Sequence, residues 1–327
     1  MKTRKLGSRG PEVTELGFGC MNVADTYYPI PARGDAVGLV RAAYDNGIRF
    51  FDTAEVYGPY TDEEIVGEAL APVRNNVVIA TKFGFDIAGG KGGVDSRPEQ
   101  IRRVAEASLR RLRTDRLDIF YQHRVDPVVP IEEVAGTVQD LVREGKVLHF
   151  GLSEASPATV RRAHAVHQVD VIQNEYSIYT RDPEAETLPL CEELGIGFVP
   201  WSPLGMGFLT GTLKPGQRFE DADVRSQFPR FTEDSMRHNQ PVVDLIAAVA
   251  ARHNATLAQV ALAWLLARKP WIVPIPGTRH LGRLQENLAA GQLTLSADDV
   301  LQIDEGFSQL TISGDRMNAH HMGLLNG

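Results

Sequence analysis

The sequence predicts a closed (β/α)8 barrel of the TIM type, and three observations lead there. Eight short apolar segments recur along the chain, and most are apolar on both faces, as strands of a helix-covered parallel sheet are. Amphipathic helical patterns separate most of them. Eight strands with helical crossovers in 327 residues suit one large barrel better than a doubly wound sheet. No linker, repeat or composition break divides residues 1–327, so one domain is expected.

The segment "RKLGSRGPEVTEL" reads as a small hairpin ahead of the first barrel strand, placed to plug the barrel bottom. The eight strand segments are 14–20 (TELGFGC), 48–53 (IRFFDT), 76–82 (NVVIATK), 116–123 (RLDIFYQH), 147–153 (VLHFGLS), 169–177 (VDVIQNEYS), 196–202 (IGFVPWS) and 271–276 (WIVPIP). Helical patterns cover 34–46, 61–72, 97–113, 130–143, 156–167, 182–194 and 256–268. Ser96 before "RPEQ" and Ser156 before Pro157 read as helix-capping signals. Residues 203–238 form a long Gly- and Pro-punctuated loop after strand seven, a length that usually means a lid or binding loop.

Composition narrows the function classes. Hydrophobic residues at 43% and charged residues at 23% are globular values that allow a large core. A net charge of −8 and pI near 5.6 give no reason to expect nucleic acid or an anionic membrane as partner. No run of about 18 apolar residues is present, and the start "MKTRKLGSRG" has no apolar core of a signal peptide. Two cysteines, Cys20 and Cys191, are too few for a disulfide framework. A soluble cytoplasmic protein is the expectation. "GGKGG" at 89–93 lacks the order of a phosphate loop and reads as a flexible loop. The arginines between 97 and 116 read as a solvated helix face.

In a barrel of this class, chemistry sits at the C-terminal strand ends. Strand two ends at Asp52 with Tyr57 in its loop, strand three at Lys82 and strand four at His123. Any one of these alone is more often a solvated or core residue. On adjacent strands about 4.8 Å apart they must converge, and clustered polar groups can pair where isolated ones would be costly. A lysine ammonium about 4 Å from a phenol at an effective dielectric of 20 contributes about 4 kcal/mol. That is roughly three pKa units toward phenolate before desolvation subtracts. Asp52 would aim Lys82, and His123 would orient a carbonyl oxygen. The set forms a proton donor beside an oxyanion site. None of the four can supply electrons, so a bound hydride donor is required.

With these residues in place the sequence resembles the aldo-keto reductases, nearly from end to end. "FFDTAEVYG", "ATKFG", "DIFYQHR", "REGKVLHFGLSEAS", "IQNEYS", "GIGFVPWSPLGMGFLTG" and "IPGTRHLGRLQEN" occur in that family's order, and the likeness is greatest to the subgroup of bacterial and plant reductases and potassium-channel β-subunit relatives. The resemblance implies an NADP(H)-dependent enzyme reducing aldehydes or ketones, with Tyr57 as general acid. It implies that Ser153 and Gln173 hold the nicotinamide carboxamide and that Tyr176 stacks on the ring. Trp201, Ser202, Pro203, Leu204, Gly205 and Gly207 match the belt over the pyrophosphate. Gly277, Thr278, Arg279 and Arg283 match the 2′-phosphate site, with Glu286 and Asn287 near the adenine. The chain departs from many relatives at Glu154, where they carry asparagine, and at Trp201, where they carry tyrosine or another aromatic. At Gly277 many carry lysine, which shifts the phosphate-binding role onto Arg279 and Arg283. Loop 21–31 and tail 313–327 match no family pattern. They are expected to shape a substrate pocket lined by Met21, Tyr27, Tyr28, Phe83, Phe85 and Arg124. The alternatives are an NADPH-holding redox sensor with slow turnover, or a barrel lyase using Lys82 as a Schiff-base amine.

Overall fold

The computed structural model describes residues 1–24, 29–89 and 92–326. Tyr27, Tyr28 and part of the "GGKGG" loop lie outside that range. The chain opens with the hairpin β1 (Thr3–Lys5) and β2 (Glu12–Thr14), paired antiparallel. The barrel follows as β3 (Phe18–Gly19), α1 (Arg33–Asp45), β4 (Phe50–Asp52), α2 (Thr61–Leu70), β5 (Val78–Phe83) and α3 (Pro98–Arg111). It continues with β6 (Leu117–Gln122), α4 (Ile131–Arg143), β7 (Val147–Ser153), α5 (Pro157–Val166), β8 (Val171–Glu175), α6 (Thr187–Leu194) and β9 (Gly197–Trp201). After the long loop come α7 (Glu233–His238), α8 (Gln240–His253), α9 (Leu257–Arg268), α10 (Leu281–Ala289), α11 (Ala297–Ser308) and α12 (Ala319–Met322). Strands β3 to β9 are parallel and neighbour one another in chain order.

The predicted eighth strand is present only as a hydrogen-bonded edge. Val273 and Ile275 donate backbone N–H bonds to Phe198 and Pro200 on β9, and Pro274 accepts one from Gly17 beside β3. Pro274 and Pro276 have no N–H, so the ladder is thinned although the barrel closes.

Alternation along each strand sorts the core into two shells. Phe50, Ala80, Ile119, Tyr121, Val171, Val199 and Val273 pack inside the barrel, with Leu6 and Val13 of the hairpin beneath them. Phe51, Ile79, Phe120, Phe150, Ile172 and Phe198 pack outward against the helices. The hairpin plug is as expected: Gly7 pairs with Ile196, and a side chain at Gly197 would strike the Leu6 backbone at 2.6 Å. Gly151 makes room for the Tyr121 ring, 2.3 Å from where its own Cβ would lie.

Helix signals hold in part. Ser156 caps α5 by accepting from Thr159 N–H at 3.3 Å. Ser96 is not a cap. Its hydroxyl accepts from Gln122 at 2.9 Å and its N–H donates to Asp126 at 2.8 Å, tying the loop before α3 to β6. Among the described residues no helix is long and apolar enough to cross a membrane.

Candidate active site

The inward parity that fills the barrel with Phe50, Ala80 and Tyr121 places the next inward position of each strand at its C-terminal mouth. Those positions are Asp52, Lys82, His123, Ser153, Gln173 and Trp201. Tyr57 reaches the same point from the turn after β4.

Lys82 is fully buried and points its ammonium at three oxygens. It pairs with the Asp52 carboxylate in a short contact, donates to Thr53 O at 2.8 Å, and lies 3.3 Å from the Tyr57 hydroxyl. Gln173 holds the other Asp52 oxygen at 2.7 Å. Burial works to lower the lysine pKa, but Asp52 and Tyr57 together outweigh it, so Lys82 stays charged. The expected phenolate preference of Tyr57 does not hold in the free protein. Burial raises the phenol above its ordinary value, and Lys82 opposes this without reversing it. Tyr57 therefore carries its proton, the form a general acid needs, with a cation waiting for the anion left behind.

His123 is buried, and burial, then Arg124 and Lys82, push its pKa well below the usual value. Its imidazole is neutral. Tyr57 and Phe85 clamp it edge-on, with ring centroids 5.8 and 4.8 Å away. Among the described residues no side-chain or backbone group bonds either ring nitrogen, which leaves one N–H to offer a ligand oxygen.

These groups form one wall of a cavity of about 760 Å³. Asp52, Tyr57 and His123 line it, Ser153 and Gln173 continue it, and Trp201, Ser202, Pro203, Leu204 and Gly207 carry it past β9. Gly277, Thr278, Arg279, Arg283, Glu286 and Asn287 line its far end at the start of α10. Lys82 lies behind Tyr57 and is not on the wall. Gly205 is also off the wall. It takes a left-handed turn (φ +56°) against Leu209 and Tyr179 that folds the loop back. Gly207, at φ +97°, lines the cavity without a side chain of its own, next to the Leu213 and Arg225 side chains.

Tyr176, expected to stack on the ring, is a further residue that the structure does not bring to the cavity. It has outward parity, is wholly buried between Phe198 and Trp264, and donates its hydroxyl to Glu184 at 2.6 Å. The aromatic on the cavity wall is Trp201. Phe83 is likewise outward, packed on Phe120 at 4.6 Å, and does not line the pocket. Met21, Phe85 and Arg124 do.

Asn22 carried no readable signal, Glu154 was readable only as a departure from relatives, and the tail 313–327 reaches the pocket as expected. Asn22 packs on Gly277, where a Cβ would lie 2.6 Å from its side-chain oxygen and 2.7 Å from Gly19 O. No lysine fits at 277 without moving that turn. Glu154 organises the opposite rim. Its carboxylate accepts from Trp201 Nε1 at 2.9 Å and Glu175 N at 2.7 Å, and pairs with Arg316 of the tail at 2.8 Å. Asn326 accepts from Ser156 and Thr159 at the start of α5. The tail so fastened brings Met317, His320, His321 and Leu324 onto the cavity, with Phe228 of the long loop.

Residues 15–306 match the Aldo/keto reductase family. The chain belongs to that family. It is 43% identical over 314 residues to probable aldo-keto reductase 1 of Glycine max, covering 95% of this chain and 90% of that one. Among solved structures, the glycerol dehydrogenase of Gluconobacter oxydans matches with a TM-score of 0.85 at 27% identity, over 94% of this chain and 96% of that one. The holo form of an aldo-keto reductase from Bacillus halodurans gives 0.76 at 26% identity, over 94% and 96%. This aldo-keto reductase is thus an oxidoreductase of carbonyl chemistry built on a TIM barrel, in a family that works with nicotinamide cofactors.

Proposed function

We propose that the protein reduces aldehydes or ketones to alcohols with NADPH, with Tyr57 giving the proton. The observation that carries this reading is the 3.3 Å contact between the Tyr57 hydroxyl and a fully buried Lys82 ammonium, at the wall of one continuous cavity. A hydroxyl and an amide, Ser153 and Gln173, stand near that wall, and two arginines beside a helix start stand at the far end. This donor set fits a nicotinamide dinucleotide, and the volume is in the range of cofactor sites. Bound there, the reduced nicotinamide would supply the hydride.

The chain's own part follows from its electrostatics. His123, neutral, donates to the carbonyl oxygen and fixes it near the Tyr57 hydroxyl. As charge grows on that oxygen, Tyr57 hands over its proton, and Lys82 stabilises the phenolate without moving. Asp52 keeps Lys82 aimed, and Gln173 keeps Asp52 aimed. A Schiff-base role for Lys82 is disfavoured, because the amine is charged and screened from the cavity by Tyr57. Steady oxidation of NADPH at 340 nm against a panel of aldehydes tests the reading; tight nucleotide binding with no turnover on any of them would favour a redox sensor instead.

Choice of nucleotide rests on Arg279 and Arg283. Arg279 now donates to Pro29 O, so it already bridges the turn before α10 to the loop after β3. A 2′-phosphate offers it a charge-assisted partner, a difference of about 1.5–3 kcal/mol. Arg279→Ala is expected to raise the KM for NADPH roughly 10- to 100-fold and to change that for NADH little. Equal losses for both would remove the 2′-phosphate assignment.

A further inference from the structure

The guanidinium of Arg124 is the least explained charge near the site. Its exposure is 8%, yet among the described residues no carboxylate lies within ion-pair distance. Its hydrogen bonds among the described residues come from one nitrogen, Nη1, to His123 O at 2.6 Å and Ser153 Oγ at 3.3 Å. Nε and Nη2 have no acceptor among the described residues, and the residue lines the cavity beside Tyr57 and His123.

The neighbouring carboxylates are committed elsewhere. Glu154 is held by Arg316 with two nitrogens, and Glu175 by Arg316 at 3.4 Å and Arg230 at 3.8 Å. Arg316 also reaches Asp182 at 3.9 Å, and among the described residues Arg124 is the one guanidinium of the three without a direct ion pair. Glu154 and Glu175 offset this charge only from beyond ion-pair distance; a buried cation without a direct partner is costly, and its cost is relieved by an anion arriving in the cavity. The planar fork left unused on Arg124 matches a carboxylate.

Resting on the carbonyl-reductase reading above, we propose that Arg124 is the recognition point for a carboxylate on the substrate, which sets oxo acids and acid-bearing aldehydes ahead of neutral carbonyls of equal size. The carboxylate docks on Arg124 while the reacting carbonyl oxygen lies between Tyr57 and His123, on the adjacent residue.

Matched pairs test this: phenylglyoxylate against its methyl ester, and 4-carboxybenzaldehyde against methyl 4-formylbenzoate, with saturating NADPH. The expected result is at least a tenfold preference in kcat/KM for the acid in one pair or both. In Arg124→Met the acid-to-ester ratio should collapse at least tenfold, and in Arg124→Lys part of it should survive. The ratio is read within one sample, so partial misfolding does not move it. Calorimetry on the NADP-loaded protein gives a readout free of turnover: benzoate should bind, benzamide should not, and Arg124→Met should weaken benzoate at least tenfold. No acid preference in either pair, or equal losses for acid and ester, overturns the assignment. So does a fall in nucleotide affinity matching the fall for the acid, which would make Arg124 a cofactor residue. Benzoate binding without any carbonyl reduction keeps Arg124 and removes the function. Ester reduction without acid preference does the reverse.

Discussion

Tyr57→Phe is expected to lower kcat for carbonyl reduction by about 10²–10⁴-fold, the range that loss of a positioned general acid gives. The change removes one oxygen. Among the described residues that oxygen's hydrogen-bond partner is Lys82, which keeps its bonds to Asp52 and Thr53 O. Folding and nucleotide binding should therefore persist, since the residues assigned to the nucleotide lie on other strands. The measurement is single-turnover reduction with pre-bound NADPH, alongside a fluorescence titration of the nucleotide. A variant that holds NADPH and retains most of its rate would show that the proton comes from elsewhere.

Lys82→Met is expected to damage both chemistry and stability. It deletes the cation facing Tyr57 and leaves the buried Asp52 carboxylate, among the described residues, with Gln173 as its one side-chain partner. Removing one member of a buried pair costs about 3–5 kcal/mol. The loss should depend on pH with a definite sign. Burial already pushes the Asp52 carboxyl above its ordinary value, and without Lys82 nothing comparable opposes it. Folding then favours the protonated acid, so the deficit should be small near the ordinary carboxylate pKa of about 4 and grow as pH rises through the elevated folded value. Urea midpoints at pH 5 and pH 8 test this: a deficit equal at both pH values would mean that charge burial is not its origin. Adding Asp52→Asn should recover part of the stability at pH 8 and none of the activity.

The catalytic groups were legible because barrel strands alternate and their ends are polar. Asp52, Lys82 and His123 all share the inward parity of the apolar residues two positions before them, and a reader of the sequence can count that. The same count would have moved Tyr176 and Phe83 off the cavity: each stands an odd number of positions from an inward neighbour, Gln173 and Lys82. Family likeness placed Tyr176 on the ring, and Phe83 was expected in the pocket without any family pattern; neither reading used the parity. The eighth strand was visible as an apolar run, but its two prolines limit it to partial pairing. Glu154 was readable as a departure from the family, not as the anchor of residues 316–326, because that contact spans more than 160 positions and no local pattern encodes it. The direction of the Tyr57 shift was also out of reach, since it depends on how deeply the phenol is buried against the pull of one lysine.

The fastening of Asn326 to the first turn of α5 has a practical side. Its side-chain oxygen takes bonds from Ser156 and Thr159, and its backbone N–H reaches Glu154 O at 3.2 Å. Any purification handle or fused reporter joined after this asparagine would tug on the same stitch that keeps Met317 and His321 in the pocket wall. Handles belong at the other terminus, where the hairpin closes the opposite mouth of the barrel.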